Sequence, residues 1–534
     1  MLLSALIFLP LVFAGIIALS PADLIKDKII QPLALIFSGI LFALSILMLF
    51  KFDPSSAAIQ FSEQVSWIPQ LGIQYFIGVD GISLWLVMLS NFLLPLVIIG
   101  SAKSVKTKIR SFYAAMFILQ ASMVGSFLAL DLILFYIFFE SSLIPMAMLI
   151  GIWGGDKKIY ASFKFFIYTM LGSVFMLASI ICLMLLNKSV TGVLSSNVLE
   201  LYRLDIAFID GRLFSTQTIL FLGFAIAFAI KVPMFPVHTW LPDAHVQAPT
   251  PGSVILAGVM LKMGTYGFMR FAIPLFPDAA TQLAWIFSFL AVIGIIYGAL
   301  VAMVQTDIKK LVAYSSVSHM GYIILGLFAF NEIGMTGGLY QMLNHGLSTG
   351  ALFFLVGMIY DRTHTREISA YGGLAKILPI YSIFFLVITF SSIAVPMTNG
   401  FVGEFYILMG AYLNNPLWGG LAVLGVILGA TYMLWMIKKV FFGEENPNLI
   451  SMKLTDLTIS ELFVLVPIVV LVFWMGLFPG QFLKYSEKSI SNLAKNKDNY
   501  QLAIYSGETS STLKSLLYKK GSTSKELISK EMNN

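Results

Sequence analysis

The chain has 534 residues, of which 58% are hydrophobic, 14% are aromatic and only 11% are charged. Because a soluble globular chain carries about 25% charged residues, this composition excludes a water-soluble enzyme, a disordered protein and a nucleic-acid-binding protein. The single cysteine, Cys182, lies in an apolar run, which excludes a disulfide framework and a cysteine-based metal or iron–sulfur site. The sequence is that of a polytopic membrane protein, and its net charge of +6 has to be interpreted through the placement of cations in loops.

Apolar runs of about 20 residues recur along the chain, and each is long enough to cross a bilayer as a helix. The first run is interpreted as an uncleaved helix, because no lysine or arginine precedes Lys26 and no small-residue cleavage site follows the run. The predicted fold is therefore an all-α polytopic membrane protein with about 14 transmembrane helices. The predicted spans are 2–20, 31–50, 82–100, 112–130, 132–152, 163–186, 216–240, 250–272, 281–304, 311–330, 337–360, 377–411, 416–437 and 457–479.

Lysine and arginine are distributed unevenly between the loops that these spans define. The odd-numbered loops carry 17 of them, and the even-numbered loops carry five: Lys51, Lys188, Arg203, Arg212 and Arg270. Since cytoplasmic loops are enriched in lysine and arginine, the odd loops are predicted to be cytoplasmic and both termini to face the other side. Residues 480–534 form a polar tail with nine lysines, in which residues 513–518 are predicted to form a short helix.

A small set of ionisable side chains falls inside the predicted spans. An ionised side chain at mid-membrane costs about 2.5–3.5 kcal/mol on insertion scales, so a helix with a purely structural role avoids it. With a rise of 1.5 Å per residue, four of these side chains lie roughly 12–18 Å into four different helices. A buried histidine alone could be a satisfied interhelical hydrogen-bond partner, but the set at one depth predicts a polar axis in the plane of the membrane. The set is Glu140, Lys231, Lys262, His319, His345 and Glu404.

Two of the spans are interrupted by proline. Lys231 is followed by Pro233, Pro236 and Pro242, and Pro396 precedes Glu404 in the other span. Because proline has no N–H to donate, the carbonyls of four residues are expected to lose their helical partners: Ala229, Val232, His238 and Ser392. Unwound backbone at membrane depth is tolerated only where it is buried in protein or lines water. A hydrated break is therefore predicted beside Lys231 and beside Glu404.

The two breaks share the sequence Val-Pro-Met, at 232–234 and again 163 residues later. Corresponding breaks an odd number of helices apart imply two inverted five-helix repeats with a transport site between them. The predicted organisation is three helices in 1–111, a first repeat in 112–272, a second in 281–440, a last transmembrane helix in 441–479 and the tail. Lys309 and Lys310, at the start of a helix, are interpreted as interface anchors rather than as members of the axis.

The run from Lys231 to Ser253, KVPMFPVHTWLPDAHVQAPTPGS, resembles the signature of the antiporter-like subunits of proton-pumping NADH:quinone oxidoreductase, respiratory complex I. The resemblance extends from FFESSLIPM through SSVSHMGY and NHGLSTGALFF to GFVGEF and covers roughly residues 80–440. The same superfamily includes Mrp-type cation/proton antiporter subunits and membrane subunits of energy-converting hydrogenases. At the position of Glu404 the L- and N-type subunits generally have a lysine. A glutamate there is similar to the third antiporter-like subunit type of the complex.

The resemblance implies a proton-transfer role for each side chain of the axis. It assigns Lys231 as the first proton-binding lysine, with Glu140 as its partner. Lys262 is the central lysine, and Glu404 is the terminal site towards the periplasm. His319 and His345 form a bridge completed by water, and His238 and His245 flank the broken helix. The implied function is proton translocation in the membrane arm of the complex, driven by electron transfer in partner subunits.

The same resemblance implies which molecules this chain works with. The expected partners are L- and N-type neighbours, hydrophilic-arm subunits and membrane lipids. The expected location is a bacterial inner membrane, and with the orientation predicted from the loops both termini are then periplasmic. No nucleotide-binding motif occurs in the sequence, so NADH, FMN, iron–sulfur clusters and quinone are expected in partner subunits, with no cofactor or metal in this chain. The alternatives are an Mrp-type Na⁺/H⁺ antiporter subunit, a membrane subunit of an energy-converting hydrogenase, and a structural spacer without conduction.

Overall fold

A computed structural model describes residues 1–20, 27–102, 104–209 and 214–494. Within these ranges the chain is mainly helical, and its helices are, in chain order, α1 Leu2–Leu19, α2 Asp27–Lys51, α3 Leu84–Gly100, α4 Ile109–Leu128, α5 Leu132–Trp153, α6 Lys158–Thr191, α7 Val198–Leu201, α8 Thr216–Lys231, α9 Trp240–Gln247, α10 Thr250–Leu275, α11 Pro277–Met303, α12 Ile308–Leu327, α13 Glu332–Thr363, α14 Leu374–Ile377, α15 Pro379–Ser392, α16 Asn399–Asn414, α17 Pro416–Phe441, α18 Pro447–Ser451, α19 Ile459–Leu477, α20 Gly480–Leu483 and α21 Glu487–Ala494.

The predicted polytopic helical architecture is confirmed. In the described ranges, ten helices are long and apolar enough to cross a membrane, and α3, α8 and α15 are shorter apolar helices. Each of the 14 predicted spans contains helix, and two spans are divided in two: α8 with α9, and α15 with α16. Each divided helix is the fourth in its predicted set of five. The division of the chain into domains stays a prediction.

A β-hairpin between α2 and α3 was not predicted from the sequence. Strands β1 Gln60–Ile68 and β2 Ile73–Val79 pair antiparallel, with Val65 opposite Tyr75. The turn between them needs Gly72, which has a φ of +66°. Alternating polar and β-branched or aromatic residues around a Pro…Gly turn are the usual hairpin signal. The all-α expectation missed this signal because the segment lies between two long apolar spans.

The first part of the predicted polar tail is folded against the rest of the protein. Residues 480–494 form α20 and α21, and the apolar side chains of Phe482, Ile490 and Leu493 are buried against the protein. Trp85 Nε1 donates to the carbonyl of Phe482 at 3.1 Å, and the backbone N–H of Gly81 donates to Ser489 Oγ at 3.1 Å. The helix predicted at 513–518, like Lys26, Lys103 and Arg212 in the loop count, lies outside the described residues.

Helices α10 and α13 occupy the centre of the protein. Residues 251–273 of α10 and 337–359 of α13 are buried, although a single apolar stripe would suffice for a peripheral helix. The two helices cross at Gly346, where a Cβ atom would lie 2.8 Å from the carbonyl oxygen of Gly258 and 2.6 Å from Leu89. Because the backbones approach this closely, polar side chains beside the crossing on one helix can reach those on the other.

One buried carboxylate joins the hairpin to the helices. Asp131 Oδ1 accepts hydrogen bonds from the backbone N–H groups of Ile133 and Leu134, both at 3.0 Å, and so caps the N-terminus of α5. Its Oδ2 accepts from Gln74 N in β2 at 3.0 Å and from Ser196 Oγ at 2.5 Å. Three segments distant in sequence are therefore held by a single side chain.

Replacing Asp131 with alanine should destabilise the protein. Two helix-capping bonds and two tertiary bonds are lost, and buried donors are left unpaired, which costs roughly 3 kcal/mol or more. The measurement is the thermal unfolding of the membrane complex in mild detergent. Asp53→Ala is the control, because that carboxylate accepts its hydrogen bonds from Ser55 in an exposed turn. An equal loss of stability in both variants would contradict the role assigned to Asp131.

Candidate proton-transfer site

Lys262 lies fully buried on α10, directly after a π-helical turn at Leu256–Met260. In this turn the N–H of Leu261 bonds to the carbonyl of Leu256, so the carbonyl of Ala257 lacks its usual helical donor. Lys262 Nζ donates to that carbonyl and lies 2.7 Å from His345 Nδ1 on α13. The central lysine therefore has one backbone partner and one titratable partner.

The titratable side chains continue from His345 to Glu404. The rings of His345 and His319 have centroids 5.8 Å apart. His319, on α12, places Nδ1 3.1 Å from Glu404 Oε1 on α16, and its Nε2 lies 3.4 Å from Ser392 Oγ at the end of α15. All of these side chains are buried. The four predicted residues Lys262, His345, His319 and Glu404 thus form one line across four helices.

A small polar cavity of about 10 Å³, room for about one water molecule, lies beside the two histidines. Two buried polar atoms at this place, His345 Nε2 and Asn344 Oδ1, have no hydrogen-bond partner among the described residues. Unpaired buried polar groups around a cavity are the positions at which proteins bind internal water. The residues around the cavity include His319, Gln341, Asn344, His345, Ser348 and Ser391.

Lys231 and Glu140 are close but do not form a direct ion pair. Lys231 is buried at the last residue of α8; its Nζ donates to Ser142 Oγ at 3.2 Å and lies 4.7 Å from the ring centroid of Phe139. Among the ion pairs within 4.0 Å in the described part of the chain none joins this ammonium to Glu140, although the two charges interact electrostatically. Glu140 Oε1 is buried without a hydrogen-bond partner there. The assignment of the pair to proton transfer stays a prediction.

The other two predicted histidines flank the first break. The ring of His238 is buried against Tyr297, with ring centroids 5.1 Å apart. His245, on α9, is fully buried and stacks on Phe353 with centroids 4.5 Å apart. His245 lies within electrostatic range of Lys262 and Lys309. His245 therefore lies beside the line of titratable groups without a hydrogen bond to it, whereas His238 packs at the first break.

The expectation of free carbonyls at the first break is wrong at two positions. The N–H of Met234 donates to the Ala229 carbonyl at 2.8 Å, and the N–H of Leu241 donates to the His238 carbonyl at 3.0 Å. The prolines do remove the i→i−4 donors, but the chain turns tightly enough for a neighbour of each proline, Met234 after Pro233 and Leu241 before Pro242, to replace the missing donor. At the second break Val395 N donates to the Phe390 carbonyl at 3.0 Å, which is the i→i−5 pattern of Met234 and Ala229.

Two cations assigned to loops or to the interface are buried in spanning helices. Arg270, counted in an even-numbered loop, lies in a second π-helical turn of α10 and forms an ion pair with Asp80. Lys309, interpreted as an interface anchor, is buried at the start of α12, and its Nζ donates to the carbonyl of Ala248 at 2.6 Å. The polar partners of both cations are distant in sequence, so the sequence alone could not reveal these contacts.

Several functional neighbours were missed because they are uncharged. Ser142 binds Lys231, Gln341 binds Glu404, and Ser391 lies against the break before Glu404. A search of the spans for ionisable residues passes over amides and hydroxyls, whose insertion cost is smaller. The signal that could have found them is a polar residue one helical turn or less from an ionisable residue, as in Gln341-Met-Leu-Asn344-His345.

The fold and this buried line of protonatable groups define a polytopic membrane protein of the ion-transport class. Residues 129–429 match the family described as "NADH:quinone oxidoreductase/Mrp antiporter, TM", and residues 7–130 match "NADH-ubiquinone oxidoreductase chain 4, amino terminus". The NADH-quinone oxidoreductase subunit M of Rhodobacter capsulatus is 45% identical over 503 residues, which cover 93% of this chain and 96% of that protein. The chain therefore belongs to the membrane-subunit family of NADH:quinone oxidoreductases and Mrp antiporters.

Two solved structures share the fold. A chain of respiratory complex I from Thermus thermophilus with bound NADH superimposes with a TM-score of 0.82 at 32% identity, covering 93% of this chain and all of that one. A chain of the Mrp complex from Dietzia sp. DQ12-45-1b superimposes with a TM-score of 0.79 at 21% identity, covering 94% and 99% of the two chains. The second likeness concerns the fold alone.

Proposed function

We propose that this chain is the M-type, or chain 4, antiporter-like subunit of NADH:quinone oxidoreductase and carries protons across the membrane. The observation that supports this most directly is the line Lys262–His345–His319–Glu404, in which two of the three steps are hydrogen-bond contacts of 2.7 and 3.1 Å. The chain acts enzymatically as part of the complex, and electron transfer belongs to its partner subunits.

Proton transfer along this line requires each group to alternate between two protonation states. The Lys262 ammonium gives a proton to neutral His345 Nδ1, which leaves a neutral amine and an imidazolium. A water between the two histidine rings passes the charge to His319, because their ring centroids are too far apart for direct contact. His319 then protonates the Glu404 carboxylate through Nδ1, and Glu404 releases the proton towards the periplasm.

In the first half of the chain, Glu140 controls the charge of Lys231. A carboxylate close to a buried ammonium stabilises its charged form, and the stabilisation falls with distance. Moving or neutralising Glu140 therefore makes Lys231 readier to release its proton towards Lys262. Ser142 gives the ammonium a hydrogen-bond acceptor when it is not in contact with Glu140.

The remaining parts of the proposal concern the surroundings of the chain. Its neighbours in the membrane arm are an L-type and an N-type subunit, and membrane lipids cover its outer face. NADH, FMN, the iron–sulfur clusters and quinone bind to partner subunits. The complex lies in a bacterial inner membrane with both termini of this chain on the periplasmic side.

Glu404→Gln should block proton pumping, because glutamine keeps the shape of the side chain but cannot accept and release a proton. Glu404→Lys, with the residue of the sister subunits, should restore part of the activity by restoring a titratable group. The measurement is NADH-driven proton uptake into inverted membrane vesicles, together with NADH oxidation in the same samples. Glu332→Gln is the control, because Glu332 is an exposed residue at the start of α13 whose side chain accepts a hydrogen bond from Ser491.

Full pumping by the Glu404→Gln vesicles would show that Glu404 is not an obligatory proton site. The same vesicles test the antiporter alternative. Sodium-dependent proton exchange by this protein in vesicles that lack the NADH-oxidising partners would favour an Mrp-type antiporter over the pump.

Glu140→Ala should abolish most proton pumping while the complex still assembles, since Lys231 then loses the charge that controls its proton. Glu140→Asp should retain part of the activity, because the charge persists at a shorter reach. The matched control is Glu200→Ala, which removes an exposed carboxylate on α7. Normal pumping by Glu140→Ala membranes during NADH oxidation would remove Glu140 from the mechanism.

A reporter fused after Asn534 should be active only if it functions outside the cytoplasm. This follows from the excess of lysine and arginine in the odd-numbered loops together with an even number of spans. Labelling with a membrane-impermeant reagent in intact cells and in inverted vesicles gives an independent readout. A cytoplasmic C-terminus would overturn the orientation, because either the whole chain would be inverted or an odd number of spans would separate the termini.

A further inference from the structure

Glu404 has a second buried partner besides His319. Gln341 Nε2, on α13, donates to the same oxygen, Oε1, at 3.1 Å. The carbonyl oxygen of the Gln341 amide accepts from Asn344 Nδ2 at 3.0 Å, one helical turn further along. Since an amide has one donating and one accepting end, this bond fixes the orientation of Gln341. Its NH₂ group therefore faces Glu404 and can only donate a hydrogen bond to it.

The amide pair is tied to both halves of the broken helix. Asn344 Nδ2 also donates to the backbone carbonyl of Asn399, the first residue of α16, at 2.8 Å. Ser391 Oγ, near the end of α15, donates to Asn399 Oδ1 at 2.6 Å, and Ser348 Oγ lies 2.5 Å from Ser391 Oγ. Because the Ser391 hydroxyl proton is used on Asn399, Ser348 is the donor of that last bond. Side chains of α13 thus hold α15 and α16 together across the break.

Gly403, next to Glu404, makes room for this arrangement. A Cβ atom at position 403 would lie 2.3 Å from Gln341 Oε1 and 2.6 Å from Asn344 Nδ2. Such distances are shorter than any real van der Waals contact, so a larger residue would push the amide pair away from α16. The glycine and the amide pair therefore depend on each other.

We propose that Gln341, oriented by Asn344 and admitted by Gly403, is a positioning residue for the terminal proton site at Glu404. This inference rests on the proposed function of Glu404 as a proton carrier. His319 gains or loses a proton and so changes between donor and acceptor, whereas Gln341 always donates. A fixed donor stabilises the carboxylate form of Glu404 and so helps the carboxyl group to release the proton that it received from His319.

Other titratable groups near Glu404 are unchanged in the variants proposed below. The hydroxyl groups of Tyr322 and Tyr432 lie within electrostatic range of Glu404. On α15 and α19 the titratable side chains are Tyr381 and Glu461, both in the first turn and bonded to other partners. The groups that face Glu404 from the packed helices are His319 and Tyr322 on α12, His345 on α13 and Tyr432 on α17.

The first test replaces Gln341 with methionine, which has nearly the same length and shape but no N–H to donate. Proton uptake per NADH oxidised should fall in inverted vesicles of the whole complex, and the pH profile of uptake should move to higher pH by about one unit, because the carboxylate loses a donor. Gln120→Met is the matched control. Gln120 is also a buried amide on a spanning helix, and its Nε2 donates to Asn91 at 2.9 Å, away from Glu404.

The second test reaches the same contact from the other side. Gly403→Ala should shift the pH profile in the same direction as Gln341→Met, whereas Gly429→Ala on α17, where nothing lies within 4 Å of the added Cβ, should leave it unchanged. The double variant Gly403→Ala/Gln341→Met should shift the profile no further than either single change, because both remove one interaction.

A normal pumping ratio and pH profile in Gln341→Met, with Glu404→Gln blocked, would overturn the positioning role and leave the proposed function intact. The same shift in the Gln120→Met control would also overturn it, because the effect would then follow from losing any buried amide. Full pumping by Glu404→Gln would instead refute the proposed function on which this inference rests.

Discussion

A protonatable side chain inside a hydrocarbon layer needs a polar partner from the protein itself, and the structure is built around the partners of Lys262. One is a backbone carbonyl that a π-turn leaves without its helical donor, and the other is a histidine on the neighbouring central helix. Both partners require α10 and α13 to be buried and nearly in backbone contact at Gly346. The peripheral helices then serve to exclude lipid from this crossing.

The same constraint explains the two broken helices. A break at membrane depth exposes polar backbone, which lipid cannot satisfy. In the first break the chain satisfies itself through tight turns, with the indole of Trp240 donating to the Ile230 carbonyl at 2.9 Å. In the second, Ala394 and Met397 have positive φ angles, and side chains of α13 supply part of the hydrogen bonding. Of the two breaks, only the one that carries Glu404 has non-glycine residues in the left-handed region, so the strained backbone of the two lies there.

The sequence predicted the features that depend on local composition, namely the spans, the breaks and the buried ionisable residues. It missed contacts between residues that are distant along the chain. Length and hydropathy predicted the spans, and proline predicted both breaks. Insertion cost singled out Lys262, His345, His319 and Glu404, which the structure brings into one line. The same reasoning could not show that Lys231 contacts Ser142, because a serine in a helix is inexpensive and common. Nor could loop counting show that Arg270 is buried, since its partner Asp80 is 190 residues away.

Lys231 and Glu404, the two ends of the axis, have different kinds of hydrogen-bond partner. This difference bears on the direction in which protons move. At Lys231 the hydrogen-bond partner is the Ser142 hydroxyl, which accepts from the lysine because its own proton is donated to the Phe139 carbonyl at 2.7 Å, and the controlling carboxylate stands out of contact. At Glu404 one partner is a histidine that can change its protonation state and the other is an amide of fixed polarity. An acceptor suits both protonation states of the lysine, because the ammonium and the neutral amine each have an N–H to donate, whereas a fixed donor favours the deprotonated carboxylate. In the proposed mechanism, loading is therefore reversible at Lys231 and release is favoured at Glu404, as a pump that delivers protons at Glu404 requires.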